Sequence, residues 1–163
     1  MRKIYVTGYF GAPIMERAKQ LAEAEGLALH DLDKEIEQRE QWSVKRMVMM
    51  HGEHCYRNAE LEALRALQEA GTQDAADNNG FVVACGDGIL YDEDCREIIL
   101  QGETVIAGED YTEDQLWEKA CESEDTYHAF MSVTAEEGSE AYAEKRERFH
   151  ELIERQKKLY SVL

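Results

Sequence analysis

The chain has 163 residues, enough for one domain with a sizeable core and too few for two comfortable ones. Hydrophobic residues make up 44% and charged residues 33%, the balance of a folded globular chain rather than a disordered one. With 18 basic against 35 acidic side chains the formal net charge is −17, so the surface repels phosphate backbones and anionic lipids, and neither nucleic acid nor a membrane surface is an expected partner.

The first predicted element is "KIYVT", residues 3–7, a short β-rich strand that ends in glycine. "APIMERAKQLAEAEG" follows with Ile14, Met15, Ala18, Leu21 and Ala22 at helical spacing, and Gly26 is the expected helix end. "LALHDLD" reads as a second strand with acids at its carboxyl end, and "KEIEQRE" as the start of a helix. "SVKRMVMMHGE" is a further helical piece with Ser43 as candidate cap. "CYRNAELEALRALQEAG" is a long amphipathic helix expected to stop at Gly71, followed by a polar loop, "TQDAADNN". "GFVVACGDG" is an apolar strand running into a Gly-x-Gly turn, "DEDCREIILQG" a short helix, and "ETVIAG" another buried-type strand. Residues 109–133 form a polar segment with helical stretches, and 139–163 a terminal helix with Tyr142, Phe149, Ile153 and Tyr160 along one side.

Strands alternating with helices imply a parallel α/β sheet, and in such sheets ligands bind beyond the carboxyl ends of the strands. Those ends carry Gly8–Gly11, Asp31–Asp33 and Gly86–Gly88, so three separate segments bring small or acidic residues to one rim. No apolar run is long enough to span a bilayer, and the apolar stretch after "MRK" stops at Gly8, unlike a signal peptide. Cys55, Cys85, Cys95 and Cys121 form no CxxC pair and read as free thiols, with Cys85 a packing residue; a cytoplasmic protein is expected.

The turn "GYFGAPIM" invites comparison with the phosphate-cradling G-x-x-x-x-G-K-[ST] loop. Gly8 fits that pattern; Pro13, Ile14 and Met15 fall where glycine, lysine and a hydroxyl belong. Pro13 has no N–H, Ile14 supplies no charge, and Met15 has no oxygen for a hard cation. Taken alone, the stretch reads as a tight strand-to-helix turn with Pro13 in the first turn of the helix, leaving Gly8, Gly11 and Ala12 as a weak anion site.

In "LHDLDKEIEQR" two carboxylates two residues apart at a strand end point the same way. Asp31 or Asp33 could hold Mg²⁺ through water, accept a hydroxyl proton or fix a polyol; equally, Asp33 suits a helix cap. His51, His54 and Cys55 lie close together but make no standard zinc pairing. Arg57, next to Tyr56, suits bidentate carboxylate recognition or a surface ion pair. Gly86-Asp87-Gly88 requires tight turning or close backbone approach to a ligand.

Together "YVTGYFGAPIMERAKQLAEAEGLALHDLDKEIEQR", "MHGEHCYRNAELEALRAL" and "GFVVACGDGIL" resemble the shikimate kinase family, in the nucleoside-monophosphate-kinase group of P-loop folds. The tail "FHELIERQKKLY" resembles the family's last helix more loosely. The resemblance implies a three-layer α/β/α fold with a parallel sheet over a single domain, 1–163. Within it a core of about 1–108 and a C-terminal helix of about 139–163 flank an altered lid-like segment of about 109–138.

It also implies roles: Asp31 associates with Mg²⁺, Asp33 holds substrate hydroxyls and takes the proton, and Arg57 grips the substrate carboxylate. "CGDG" stands in place of T-G-G-G, with Gly86 and Gly88 matching and Cys85 and Asp87 departing; a carboxylate at Asp87 is expected to repel a γ-phosphate or a carboxylated substrate. From Glu97 to Glu144 the only Lys or Arg is Lys119, where the family's lid carries arginines.

The leading expectation is therefore a shikimate-kinase-like protein that lacks ordinary ATP-dependent transfer and keeps at most a site for a small polar or carboxylated metabolite, with no cofactor. The alternatives are an active small-molecule kinase using Mg²⁺ and ATP, with Arg17, Lys19 or a partner supplying the missing charge, and an interaction protein presenting its acidic segment, 109–140.

Overall fold

The computed structural model describes residues 1–73, 79–123 and 127–163. Four strands, β1 (Arg2–Gly8), β2 (Ala28–Asp31), β3 (Gly80–Ala84) and β4 (Glu103–Ala107), form one parallel sheet in the order β2-β3-β1-β4. The chain leaves β1 for the far edge, returns to β3 beside it, and crosses to β4 on its other flank. The crevice of such a sheet opens at the carboxyl ends of β1 and β3, where the direction of winding reverses.

Burial on both faces explains why β1 and β3 read as apolar runs rather than alternating ones. Tyr5, Phe81 and Val83 face one layer, and Ile4, Val6, Val82 and Ala84 face the other. The first layer is α2 (Leu32–Glu40), α3 (Val44–His51), α4 (Glu53–Gln73) and α5 (Glu93–Ile99). Opposite lies α1 (Ile14–Glu25), which buries Ala18 and Ala22. A further cluster joins Phe10 to Leu116 and Trp117 of α6 (Glu113–Glu122) and to Phe149, Leu152 and Ile153 of α7 (Glu140–Ser161). The three-layer α/β/α arrangement with a parallel sheet is the one the sequence implies. None of the described helices is long and apolar enough to cross a membrane.

Helix ends follow local chemistry. Ser43 caps α3 by accepting the Arg46 N–H, and Gly26 closes α1 in the left-handed conformation, both as expected. Three boundaries differ. Pro13 precedes the first turn of α1 as its N-cap residue. The second strand ends at Asp31, so Asp33 sits in the first turn of α2 and Asp31 is the capping aspartate, accepting the Lys34 N–H at 3.3 Å. The two carboxylates therefore do not share a strand face. Third, α4 runs through Gly71 to Gln73, because a glycine inside a packed helix costs only about 1 kcal/mol. The polar loop expected next lies, from residue 74 to 78, outside the described residues.

Candidate functional site

A cavity of about 420 Å³ opens beyond the carboxyl ends of β1, β2 and β3. Tyr9 to Ala12, with Ile14 and Met15, make one wall. Asp31, Asp33, Lys34, Glu37, Ser43 and Lys45 make the other, and Cys85, Gly86 and Asp87 lie between them. Lys119 and Tyr127 also line it. The three rim segments marked by sequence thus converge on one space.

The first wall is the turn Gly8–Met15, and its backbone donors are mostly committed inside the protein. The Tyr9 N–H donates to the Ala107 carbonyl at 3.1 Å and the Phe10 N–H to Gln156 Oε1 at 2.9 Å. The Ala12 N–H donates to the Tyr9 carbonyl and the Ile14 N–H to the Ala12 carbonyl, each at 2.9 Å. Phe10 buries its ring between α6 and α7, at 5.9 Å from Phe149. Gly11 has φ +93°, and a Cβ there would run into the Leu116 carbonyl, so α6 lies directly on the turn. Arg17 and Lys19 stand exposed on α1 and are not among the described residues lining the cavity; Lys34, Lys45 and Lys119 are.

The opposite wall is titratable. Burial pushes the Asp33 carboxyl up to about 6, against the opposing effect of the Tyr56 hydroxyl, which donates to Asp33 Oδ1 at 2.5 Å. Glu37 Oε1 accepts the Val44 N–H at 3.1 Å, tying α2 to the start of α3.

Arg57 is buried behind this wall. Its guanidinium donates to Glu60 Oε1 at 2.5 Å, Glu53 Oε1 at 2.8 Å and the Tyr127 hydroxyl at 3.0 Å, and it lies 5.1 Å from the Tyr127 ring centre. Gly88 touches this cluster: a Cβ there would fall inside the guanidinium. Neither Arg57 nor Gly88 is among the described residues lining the cavity; Tyr127, stacked on Tyr56 at 5.0 Å, stands in front of them. Burial pushes Glu60 up to about 8 although Arg57 pulls it down, and Glu60 Oε2 has no partner among the described residues. Burial likewise raises the Cys85 thiol well above its usual range, the inert packing cysteine expected. All four cysteines are free.

Asp87 is buried, and polar groups converge on it. His128 Nε2 lies 2.9 Å and the Gln156 Nε2 donor 2.8 Å from Oδ2. Burial alone would raise this carboxyl, but His128 and Gln156 hold it below the usual range. The Tyr160 hydroxyl lies 2.6 Å from the Asp87 carbonyl and 2.5 Å from that of Gly8, and Thr7 donates to the Gly86 carbonyl at 2.8 Å. The two glycine turns are therefore knit to each other and to α7.

Sequence reading missed Tyr127, His128 and Gln156 as site residues. Gln156 could have been found: it falls with Ile153 and Tyr160 on the buried stripe of α7, and a polar residue on such a stripe needs a partner inside. His128 carries no comparable signal, because the acidic stretch around it, of which 124–126 lie outside the described residues, looks like ordinary surface. The cluster His51, His54 and Cys55 disperses: His51 packs on Trp42, His54 contacts Asn58, and Cys55 packs against the main core. Glu113, His150 and Glu154 do gather, away from the cavity. There Glu113 bridges Arg146 at 2.7 Å and His150 at 2.6 Å, so the group staples α6 to α7.

Sheet order, a glycine turn after β1 and a D-x-D at the end of β2 define an α/β fold of the P-loop kinase type. The chain belongs to the shikimate kinase family, whose model, described as "Shikimate kinase", matches residues 17–160. A shikimate kinase of Chlorobium limicola is 33% identical over 103 residues, covering 63% of this chain and 48% of that protein. A bifunctional shikimate kinase/3-dehydroquinate synthase of Thermotoga maritima is 27% identical over 159 residues, covering 98% of this chain and 27% of that protein. The chain thus spans about half the length of the first of these relatives and about a quarter of the second. Among solved structures, shikimate kinase from Acinetobacter baumannii in complex with shikimate superposes with a TM-score of 0.75 at 20% identity, over 99% of this chain and 79% of that one. The Bacteroides thetaiotaomicron shikimate kinase gives 0.73 at 22% identity, over 98% and 82%. Both show the fold.

Proposed function

We propose that this protein binds a small polar or carboxylated metabolite in the cavity and does not carry out ordinary ATP-dependent phosphoryl transfer, so that its role is sensing or regulation. One observation carries the reading: four N–H groups of the Gly8–Met15 turn, those of Tyr9, Phe10, Ala12 and Ile14, are spent on Ala107, Gln156, Tyr9 and Ala12, and Pro13 has none. A phosphate loop works by pointing such groups at the anion, with a lysine and a metal-binding hydroxyl beside them. Here Ile14 and Met15 fill those places, so the residues present do not fit a Mg²⁺-bound triphosphate. Transfer rests on positioning and charge stabilisation, and one placed arginine is worth ~10³–10⁵ in rate. Losing the loop donors, lysine and hydroxyl together leaves transfer negligible.

On this reading Asp33 accepts from a ligand hydroxyl, Gly86 and Asp87 border the ligand, and Arg57 and Gly88 support the site from behind Tyr127. The whole described chain forms one shikimate-kinase-like unit with an altered lid-like segment near 109–138, and a reducing, cytoplasmic setting suits its four free thiols. A second reading, an active kinase for a hydroxy acid or other alcohol, is favoured by Asp33 itself. A carboxyl near 6 in the cavity is suited to take a hydroxyl proton, with Asp31 as the Mg²⁺-associated group.

Titration calorimetry and a coupled turnover assay separate the two. We expect no micromolar binding of Mg·ATP and no ATP-dependent phosphorylation of shikimate. Steady turnover abolished by Asp33→Asn would establish the second reading instead.

A further inference from the structure

The cavity of this acidic protein has a charge balance that the composition does not suggest. Among the described residues it is lined by four carboxylates, Asp31, Asp33, Glu37 and Asp87, and by three ammonium groups, Lys34, Lys45 and Lys119. Every carboxylate already holds a donor: Asp31 the Lys34 N–H, Asp33 the Tyr56 hydroxyl, Glu37 the Val44 N–H, and Asp87 Gln156 with His128 beside it. The ammonium groups are uncommitted. The ammonium groups of Lys34 and Lys45 have no hydrogen bond or ion pair among the described residues. Lys119 faces only Glu122 at 3.7 Å, an exposed pair of the kind worth a few tenths of a kcal/mol. Three ammonium groups with no strong ion partner therefore stand beside four carboxylates, and they are the groups of the lining able to meet an anion.

The position of the lysines sharpens this. Lys34 and Lys45 stand in the first turns of α2 and α3, where backbone N–H groups and the helix dipoles add positive potential. Ser43 lies beside them; its oxygen accepts the Arg46 N–H at 3.2 Å, which leaves its own hydrogen free to donate. Lys119 approaches from α6, on the lid side. The turn Gly8–Met15, where the fold ordinarily binds an anion, has committed most of its donors elsewhere.

We infer that Lys34 and Lys45, on the wall opposite the glycine turn, and Lys119, from α6 beside that turn, form a substitute anion site across the cavity. This site selects a ligand with at least two negative charges, either a phosphate monoester or a polycarboxylate. The inference rests on the reading that the cavity is a ligand site. A volume of about 420 Å³ accommodates one such metabolite. Each lysine brings a point charge with three rotatable donors on a flexible stem, able to follow a compact polyanion.

The test is titration calorimetry with three probes: 3-phosphoglycerate, citrate, and shikimate as the monoanion. At least one polyanion should bind ten times more tightly than shikimate, with affinity falling as salt rises. The triple substitution Lys34→Ala, Lys45→Ala, Lys119→Ala should lose that tenfold preference, while the corresponding triple arginine variant stays within about threefold of wild type on charge grounds. All three lysines are exposed, so circular dichroism should report an intact fold in both variants. Which polyanion binds tells phosphate ester from carboxylate. Shikimate binding with no polyanion preference, or a preference that survives the triple alanine variant, overturns the lysine site while leaving the ligand-site reading intact. Failure of all three probes overturns both.

Discussion

The two walls of the cavity are built from the same unit, a strand running into a helix, and they use their polar atoms in opposite ways. In the β1–α1 turn the donors go inward, to Gln156, Ala107 and the turn itself, and Phe10 fixes the turn against α6 and α7. In the β2–α2 junction the polar groups stay at the cavity: Asp33 lines it with one oxygen held by Tyr56, and Lys34 points a charge at its rim. Both junctions keep the geometry that the sheet demands. The lesson is that apolar strands and helix spacing hold the frame, whereas a handful of polar atoms hold the chemistry. One wall can therefore turn to packing while its neighbour remains available to a ligand.

The contrast can be broken most directly at Gln156. Its amide holds the Phe10 N–H and the Asp87 carboxylate together, so Gln156→Leu strands a buried donor and weakens a buried anion. We expect a loss of roughly 2–4 kcal/mol in urea unfolding. A loss under about 1 kcal/mol would mean that the first wall is held by something else.

Next in size is the pH behaviour of Asp33. Its folded-state value of about 6 lies above the ordinary 3.8, so the folded protein binds more protons between those limits. Its contribution is therefore most favourable below the ordinary value and is lost as pH rises through about 6. Asp33→Asn should flatten this part of the stability profile, by roughly 2–3 kcal/mol over the window. An unchanged slope would show that Asp33 is not the desolvated group of the second wall.

A smaller effect is expected at Thr112, which caps α6 in a reciprocal capping box with Gln115 at 2.9 and 3.1 Å. Because α6 bears on the first wall at Gly11, Thr112→Ala should cost about 1 kcal/mol and raise amide exchange at Phe10 and Ala12. Exchange confined to α6 would separate the helix from the wall.

The smallest expected effect is a null one. Restoring Gly, Lys and Thr through Pro13→Gly, Ile14→Lys and Met15→Thr should yield no Mg·ATP turnover, because Gln156 and Tyr9 still hold the Phe10 and Ala12 N–H groups. Turnover in that variant would show that only side chains were lacking.

The sheet was legible because its signals are local and repeated: apolar runs, Gly26, Ser43, and acids at strand ends. So was the convergence of Gly8–Gly11, Asp31–Asp33 and Gly86–Gly88, since strand ends of a parallel sheet must meet. What escaped were long-range partners. Nothing near Asp87 in sequence announces that His128 and Gln156, 41 and 69 residues away, will face its carboxylate. An isolated acid there reads as repulsive, and only the fold supplies its donors. Arg57 shows the converse: its partners Glu53 and Glu60 lie on its own helix, at spacings that permit an ion pair, yet Tyr127 comes from 70 residues away. The strand-to-helix boundary falls at Asp31, two residues before the expected cap Asp33, and that shift of two decides which aspartate is spent on the backbone.

Tyr160 has a consequence of its own. Its oxygen is within hydrogen-bonding distance of two carbonyls, those of Gly8 and Asp87, but a phenol has one hydrogen to give. The Asp87 carbonyl has a second suitor, the Gln156 amide at 3.3 Å. The hydrogen can therefore rest on Gly8 without stranding Asp87, and Gln156 decides its allocation. Two turns that a ligand would meet as separate surfaces thus share a single proton, and whatever displaces Gln156 reassigns it.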